Sequence, residues 1–404
     1  MLNNKYIMSD NIFKQVEHKE EMNDLETINK WDDLDINTNI LRGIYAFGFE
    51  DPSPIQRKAI IPIINNQDII AQAQSGTGKT GAFSIGALSR IDLSSKTTQV
   101  LIMCPTHELS TQIAGVVSGI GSMMEGLEVK LLVGGSSINN DIEYLKKSFP
   151  HIIVGCPGRV YDMIRRNYIN SKTLKLVVLD EADEMLSAGF KEQVYNIFQS
   201  FNNDIQVALF SATLPPHIHT ITSKFMRNPV QITVTPERLS LEGIMQYFVA
   251  LENDIDKYAN LKRLYSFISM SQCIIYCNSV KRVIDLYVAM NQDDFPVCMI
   301  HSNMEKGERN VAFNEFKSGK ARVLISSNVT ARGIDIQQVS TVINFDLPKD
   351  VHTYIHRIGR SGRWGRKGVG INMITRRDIQ KIKEIEQYYN TQIDELPDTF
   401  WSTT

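Results

Sequence analysis

Twelve short runs rich in valine and isoleucine, six in each half of the chain, alternate with amphipathic stretches long enough to be helices. The first six span 69–73, 100–104, 129–133, 152–156, 176–179 and 206–210; the others span 246–250, 273–277, 297–301, 323–326, 341–345 and 370–374. A continuous apolar run flanked by amphipathic segments is the pattern of a strand covered on both faces. It predicts an α/β chain of parallel sheets. Two such sets in 404 residues exceed one ordinary core and predict two domains. The polar segment 235–243 separates the sets and reads as a flexible linker, which places one domain at 31–234 and the other at 244–404. Residues 1–30 mix lysines with acids, as a polar tail does, and do not look like a secretory signal or presequence. No apolar stretch approaches the ~20 residues of a membrane span. The five cysteines are odd in number and mostly lie in apolar runs, which suits free thiols in a reducing compartment; the expected location is the cytoplasm.

The first run leads into Ala73-Gln74-Ser75-Gly76-Thr77-Gly78-Lys79-Thr80, a glycine-rich loop ahead of a helix. Such a loop cradles phosphates with backbone N–H groups, and its lysine meets the terminal phosphates. The fifth run ends in Asp180-Glu181-Ala182-Asp183, carboxylates suited to holding Mg²⁺ and water. Each motif is common alone. Their combination, in this order and at strand ends, points to a nucleoside triphosphate site.

Net charge is −2, so any polyanion must be held in a local groove rather than by a global field. Arg357, Arg360 and Arg363 recur at intervals of three, with Gly359 and Gly362 threaded among them. On a helix, Arg360 and Arg363 would share a face and aim at one anion.

The chain resembles the DEAD-box RNA helicases over about 31–397, closest to the initiation-factor-4A subgroup. The resemblance is carried by Gly48 to Gln56, Ala73 to Thr80, Pro105 to Ser110, Gly134-Gly135, Pro157-Gly158-Arg159, Asp180 to Asp183, Ser211-Ala212-Thr213, Ala331 to Asp335 and His356 to Arg363. It implies two tandem RecA-like domains and an RNA-dependent ATPase that unwinds short duplexes, using ATP and Mg²⁺. A monomer working with an activating scaffold protein is expected.

By that resemblance Phe49 lies on adenine and Gln56 reads its edge. Ser75, Gly76, Thr77, Gly78, Lys79 and Thr80 hold phosphates, Asp335 holds the ribose, and Thr80 with Asp180 holds Mg²⁺ partly through water. Glu181 activates the attacking water, and Arg360 and Arg363 act as arginine fingers. Asp183 and His356 couple across the domains to Ser211 and Thr213. Pro105, Thr106, His107, Gly135, Gly158, Arg159 and Ser327 hold RNA. The alternative from another class is a slow ATP-gated RNA clamp that scaffolds a ribonucleoprotein.

This chain departs from the family at several places. His107 and Ser110 stand for Arg and Ala, Cys156 for Thr, Ser327-Asn328 for Thr-Asp, Ser302 for Gly, and Lys306-Gly307 for Gln-Lys. Trp31 stands for a phenylalanine and is expected to keep an aromatic surface. These changes bear on RNA grip and domain coupling, since the hydrolytic positions are intact.

Overall fold

The computed structural model describes residues 26–73, 76–186, 189–214, 216–232, 244–268, 272–328, 339–361 and 368–397. Each of the twelve apolar runs is a strand. In the first domain they are β1 (Ile69–Gln72), β2 (Val100–Met103), β3 (Val129–Leu132), β4 (Ile152–Gly155), β5 (Leu176–Asp180) and β6 (Gln206–Ser211), joined by a short β7 (Val230–Ile232). In the second they are β8 (Ile244–Ala250), β9 (Gln272–Tyr276), β10 (Val297–Ile300), β11 (Val323–Ser326), β12 (Val339–Asn344) and β13 (Gly368–Ile374), with a two-residue β14 (Asp394–Glu395).

The sheet orders are β3-β4-β2-β5-β6-β1-β7 and β10-β11-β9-β12-β13-β8-β14. Subtracting seven from each number in the second gives the first, so one topology occurs twice. All pairings are parallel. Successive side chains feed opposite faces: Val100 and Ile102 join one core, Leu101 and Met103 the other. The second domain repeats this, with Ile274 and Tyr276 on one face and Cys273 and Ile275 on the other. Period two with both faces buried explains why the runs are apolar throughout.

Ile28 and Trp31 are buried in the first core, so that domain reaches upstream of position 31. The aromatic surface expected of Trp31 is therefore an interior contact. Residues 1–25, the linker 235–243, Ser75, Asp335 and Arg363 lie outside the described residues.

Candidate active site

Parallel strands put all their C-terminal ends on one edge, and strand order decides which loops become neighbours there. The phosphate, metal and coupling residues expected in the first domain lie at or after the ends of β1, β5 and β6, which adjoin in the sheet. Those expected to hold RNA in the first domain follow β2, β3 and β4, the other half. Asp180, at the end of β5, lies on the seam between them.

Lys79 opens the helix Lys79–Ser89, and Gly78 precedes it in the left-handed region at φ 99°. A Cβ on Gly78 would come within 2.7 Å of Ser53 Oγ and 2.8 Å of Gln56 Nε2. One turn on, a Cβ at Gly81 would meet Gln56 Nε2 at 2.5 Å and Phe49 Cε2 at 2.9 Å. Glycine at both positions lets the phosphate loop and its helix lie against the segment carrying Phe49 and Gln56. The Gln56 carboxamide accepts from the Ser53 N–H at 2.7 Å and donates to the Gly78 carbonyl at 3.2 Å. It thus fastens the helix Pro54–Ile64 to the loop, besides any contact with a base. Phe49 is half-buried, stacked on Trp31 at 6.1 Å and edge-on to Phe47 at 5.3 Å.

Lys79 is buried, its Nζ makes no hydrogen bond, and it stands 3.8 Å from Glu181 Oε1. A buried ammonium in that condition is costly unless an anion completes it. Asp180 is buried too and accepts from the Glu181 N–H at 3.0 Å. Burial pushes its carboxyl up to about 7; Lys79 opposes the rise, while Glu181 and Asp183 add to it. The half-buried Thr80 sits in the first turn of the Lys79 helix. A lysine without hydrogen bonds, a carboxyl burdened by its own charge and a hydroxyl form a donor set that suits a triphosphate with Mg²⁺.

Glu181 has φ 53° and ψ 48°, a left-handed conformation that a residue with a Cβ seldom adopts. Asp183 follows in the short helix Ala182–Met185. Its carboxylate accepts from Thr213 Oγ1 at 2.6 Å, and its N–H donates to Ser211 Oγ at 3.4 Å. His356 Nε2 lies 2.9 Å from the same Asp183 oxygen, and His356 Nδ1 lies 3.8 Å from Glu181 Oε2. The hydroxyls of β6 and its following loop thus meet Asp183 within their own domain, and the second domain joins at that carboxylate through His356.

The helix bearing His356 spans Val351–Ile358, with the Asp350 side chain accepting from the Thr353 N–H at its start and Gly359 closing its end. Arg360 therefore lies beyond the helix, and a shared helical face with Arg363 does not apply. Arg360 is buried and donates from Nε to the His356 carbonyl at 3.3 Å. Arg357 is interior to the second domain rather than part of an exposed basic cluster.

On the RNA half, Pro105 and Thr106 follow β2, and Thr106 caps the helix that opens at His107. Gly135 follows β3, and Gly158 and Arg159 open the helix after β4. Arg159 donates to the Ser136 carbonyl at 2.8 Å and to Ser136 Oγ at 3.1 Å, and pairs with buried Asp141. Much of its guanidinium is spent bracing the turn after β3. Ser110, at a position departing from the family, lies 3.0 Å from Cys104 Sγ and 3.4 Å from Cys156 Sγ. Burial pushes the Cys156 thiol up to about 11. In the second domain Ser327 follows β11 at the equivalent edge.

One contact had no signal in the sequence. Glu108 Oε1 meets Arg309 Nη1 across the domains at 3.0 Å. Nothing in the spacing of two residues so far apart marks them as partners.

Comparison with known proteins agrees with this geometry. The DEAD/DEAH box helicase family profile matches residues 53–221, and the helicase conserved C-terminal domain matches 256–365. The ATP-dependent RNA helicase eIF4A of Lodderomyces elongisporus is 49% identical over 93% of this chain and 94% of its own. Eukaryotic initiation factor 4A of Caenorhabditis elegans is 48% identical over 93% of this chain and 92% of its own. The structure of S. cerevisiae Dbp5 bound to RNA and ADP BeF3 superposes with a TM-score of 0.87 at 33% identity, covering 93% of this chain and 97% of that one. Two tandem RecA-like domains are thus matched together, and among the described residues no helix is long and apolar enough to cross a membrane. The chain belongs to the DEAD-box family, in its initiation-factor-4A type, and is an ATP-dependent RNA helicase.

Proposed function

We propose that this helicase acts in translation initiation, as a cytoplasmic monomer that opens short RNA duplexes with the help of an activating scaffold protein. The observation that carries this mechanism is the junction at Asp183. One buried carboxylate holds Thr213 of the first domain and His356 of the second, so nucleotide site and domain closure share one carboxylate oxygen.

Thr80 and Asp180 would hold Mg²⁺, partly through water; the ion, when bound, offsets phosphate charge. Lys79 meets the terminal phosphates, and Ser75 to Gly78 surround them with backbone N–H groups. Phe49 lies on the base, Gln56 holds its edge and the loop together, and Asp335 takes the ribose. Glu181, with a carboxylate oxygen 3.8 Å from Lys79 Nζ and the other 3.8 Å from His356 Nδ1, orients the attacking water and takes its proton. Arg360 and Arg363 reach the developing phosphate charge only when the domains are together. Pro105, Thr106, His107, Gly135, Gly158, Arg159 and Ser327 hold one strand by its sugar-phosphate backbone, so sequence preference is weak. Closure bends that strand away from its complement, and hydrolysis lets it go.

Steady-state ATP hydrolysis with and without RNA, beside displacement of a short duplex, tests this. Arg360→Ala is expected to cut RNA-stimulated turnover by ~10³-fold, the scale of an arginine finger. Normal hydrolysis in that variant would remove the two-domain site. Failure to restore an extract depleted of its initiation factor 4A would assign the helicase to another RNA process. Tight RNA retention without RNA-stimulated turnover would favour the clamp.

A further inference from the structure

Arg357 is fully buried, and all five of its N–H donors are used. Nε and Nη2 both donate to Asn328 Oδ1, at 2.9 and 2.6 Å. Nη2 also reaches Asn278 Oδ1 at 2.7 Å, while Nη1 reaches Asn344 Oδ1 at 3.1 Å and the Asp346 carbonyl at 2.8 Å. A guanidinium has five donors and no acceptor, so its demand is met in full, and each of these acceptors is neutral. The Asp346 carboxylate is turned to Arg282, Lys257 and the Asn278 N–H.

The Asn328 bonds differ from the others in what they join. Asn278, Asn344 and Asp346 lie in or just after central strands of the sheet. Asn328 is exposed and directly follows Ser327, at the edge where RNA is expected. Arg357 sits in the helix whose His356 reaches Asp183 and beyond whose end lies Arg360. The chemistry also fixes how Asn328 lies. Facing a group with donors only, its amide oxygen must point inward and its NH₂ outward.

We propose that Asn328 is a positioning residue for RNA-stimulated turnover: its amide oxygen clamps the strand end carrying Ser327 to Arg357, so that RNA held at Ser327 and the Arg360 finger move as one body. The clamp matters only if Ser327 meets RNA and Arg360 meets phosphate, and so it rests on the function proposed above. A carboxamide here, where related helicases usually have aspartate, keeps the clamp without placing a negative charge beside RNA phosphates.

ATP hydrolysis by the full chain, titrated with single-stranded RNA, tests the clamp. Asn328→Ala is expected to lower RNA-saturated kcat about tenfold, within the range of coupling between sites. KM for RNA should stay within about twofold, as for a residue that touches no RNA. Asn328→Ser, whose hydroxyl is too short to bridge Nε and Nη2, should fall with alanine. Asn328→Asp keeps oxygens on the guanidinium and should restore kcat to within about threefold while raising KM for RNA through its added charge. An alanine variant with unchanged kcat overturns the proposal. So does a loss confined to KM, or a kcat loss that aspartate does not restore. Ser327→Ala and Arg360→Ala, assayed alongside, report on the underlying function. If they weaken RNA binding and turnover as expected while Asn328→Ala does not uncouple them, the clamp alone fails.

Discussion

The two domains share a topology, and each places a lysine in the first turn of the helix after its first strand and an aspartate at or just past its fifth strand. In the second domain these charges have found one another. Lys257 Nζ lies 3.4 Å from Asp346 and 3.1 Å from Asp254, and Arg282 Nε donates to Asp346 at 2.7 Å. The helix start is occupied as well, since Asn253 Oδ1 accepts from the Ile255 and Asp256 N–H groups. In the first domain, Lys79 meets Glu181 only at 3.8 Å and makes no hydrogen bond, and burial pushes the Asp180 carboxyl up to about 7 despite Lys79. Topology supplies the place for a nucleotide twice; unbalanced charge makes it a site once.

Replacing the two lysines is the strongest way to break that contrast. Lys79→Met should cost ~10³-fold in turnover, as the loss of a charged transition-state donor does. Its melting temperature should change less than that of Lys257→Met, because the desolvation cost of an ammonium without hydrogen bonds goes together with its 3.8 Å contact to Glu181. Lys257→Met should spare turnover but lower stability by about 1–3 kcal/mol, the scale of one lost hydrogen bond to a charged group at a carboxylate that keeps Arg282. Equal losses of turnover in both variants would end the distinction. Glu181→Gln is the next largest. Single-turnover hydrolysis should fall by ~10²-fold, the scale of a lost general base, with ATP and RNA binding kept. A near-normal rate would put the base elsewhere.

Asp180 gives a smaller effect with a definite sign. Its carboxyl is raised by burial from the usual carboxylate range to about 7 in the folded protein. Below both values the acid is neutral in folded and unfolded chains and costs nothing. Between them the unfolded chain is ionised while the folded one keeps its proton, so stability falls as pH rises through that window. Above about 7 the penalty is complete. Asp180→Asn carries no such penalty. Without nucleotide or metal, it should melt a few degrees above the parent at pH 8 and by a smaller margin at pH 4.5. A margin independent of pH would show that Asp180 is already compensated, as Asp346 is.

The sequence made this site legible to the extent that chemistry demands particular side chains at particular strand ends. Lys79, Asp180, Glu181 and Asp183 could be placed because β1 is an apolar run that leads into the glycine-rich loop ahead of Lys79 and β5 is one that ends at Asp180. β7 and β14, of three and two residues, are too short to show a pattern and borrow their form from β1 and β8. Arg357 was hidden by its own regularity. It recurs with Arg360 and Arg363 at intervals of three, but the helix ends at Ile358, and the partners of Arg357 at Asn344 and Asp346 keep it inside its own domain. The Gln56 tie to Gly78 depends on how closely two helices approach, which Gly81 permits but does not announce.

The smallest expected effect distinguishes two links between the domains, one through Asp183 and one through Glu108. His356 and Asp183 are buried, whereas the Glu108 and Arg309 side chains keep 18% and 22% of their exposure. Water and salt reach the second pair but not the first. Neutralising it in Glu108→Gln or Arg309→Gln should therefore lower RNA-saturated turnover by no more than about fivefold, as for a partly exposed ion pair. The difference should shrink as ionic strength rises and the Debye length falls from about 10 Å at 0.1 M toward 3 Å at 1 M. Exchanging the charges, Glu108→Arg with Arg309→Glu, should recover most of the loss, because the attraction needs opposite signs rather than a given order. His356→Ala should be insensitive to salt over the same range. A double-mutant cycle in turnover decides the matter: if the Glu108 and Arg309 effects add without coupling, the 3.0 Å contact does not help hold the domains together, and the buried link through Asp183 acts without it.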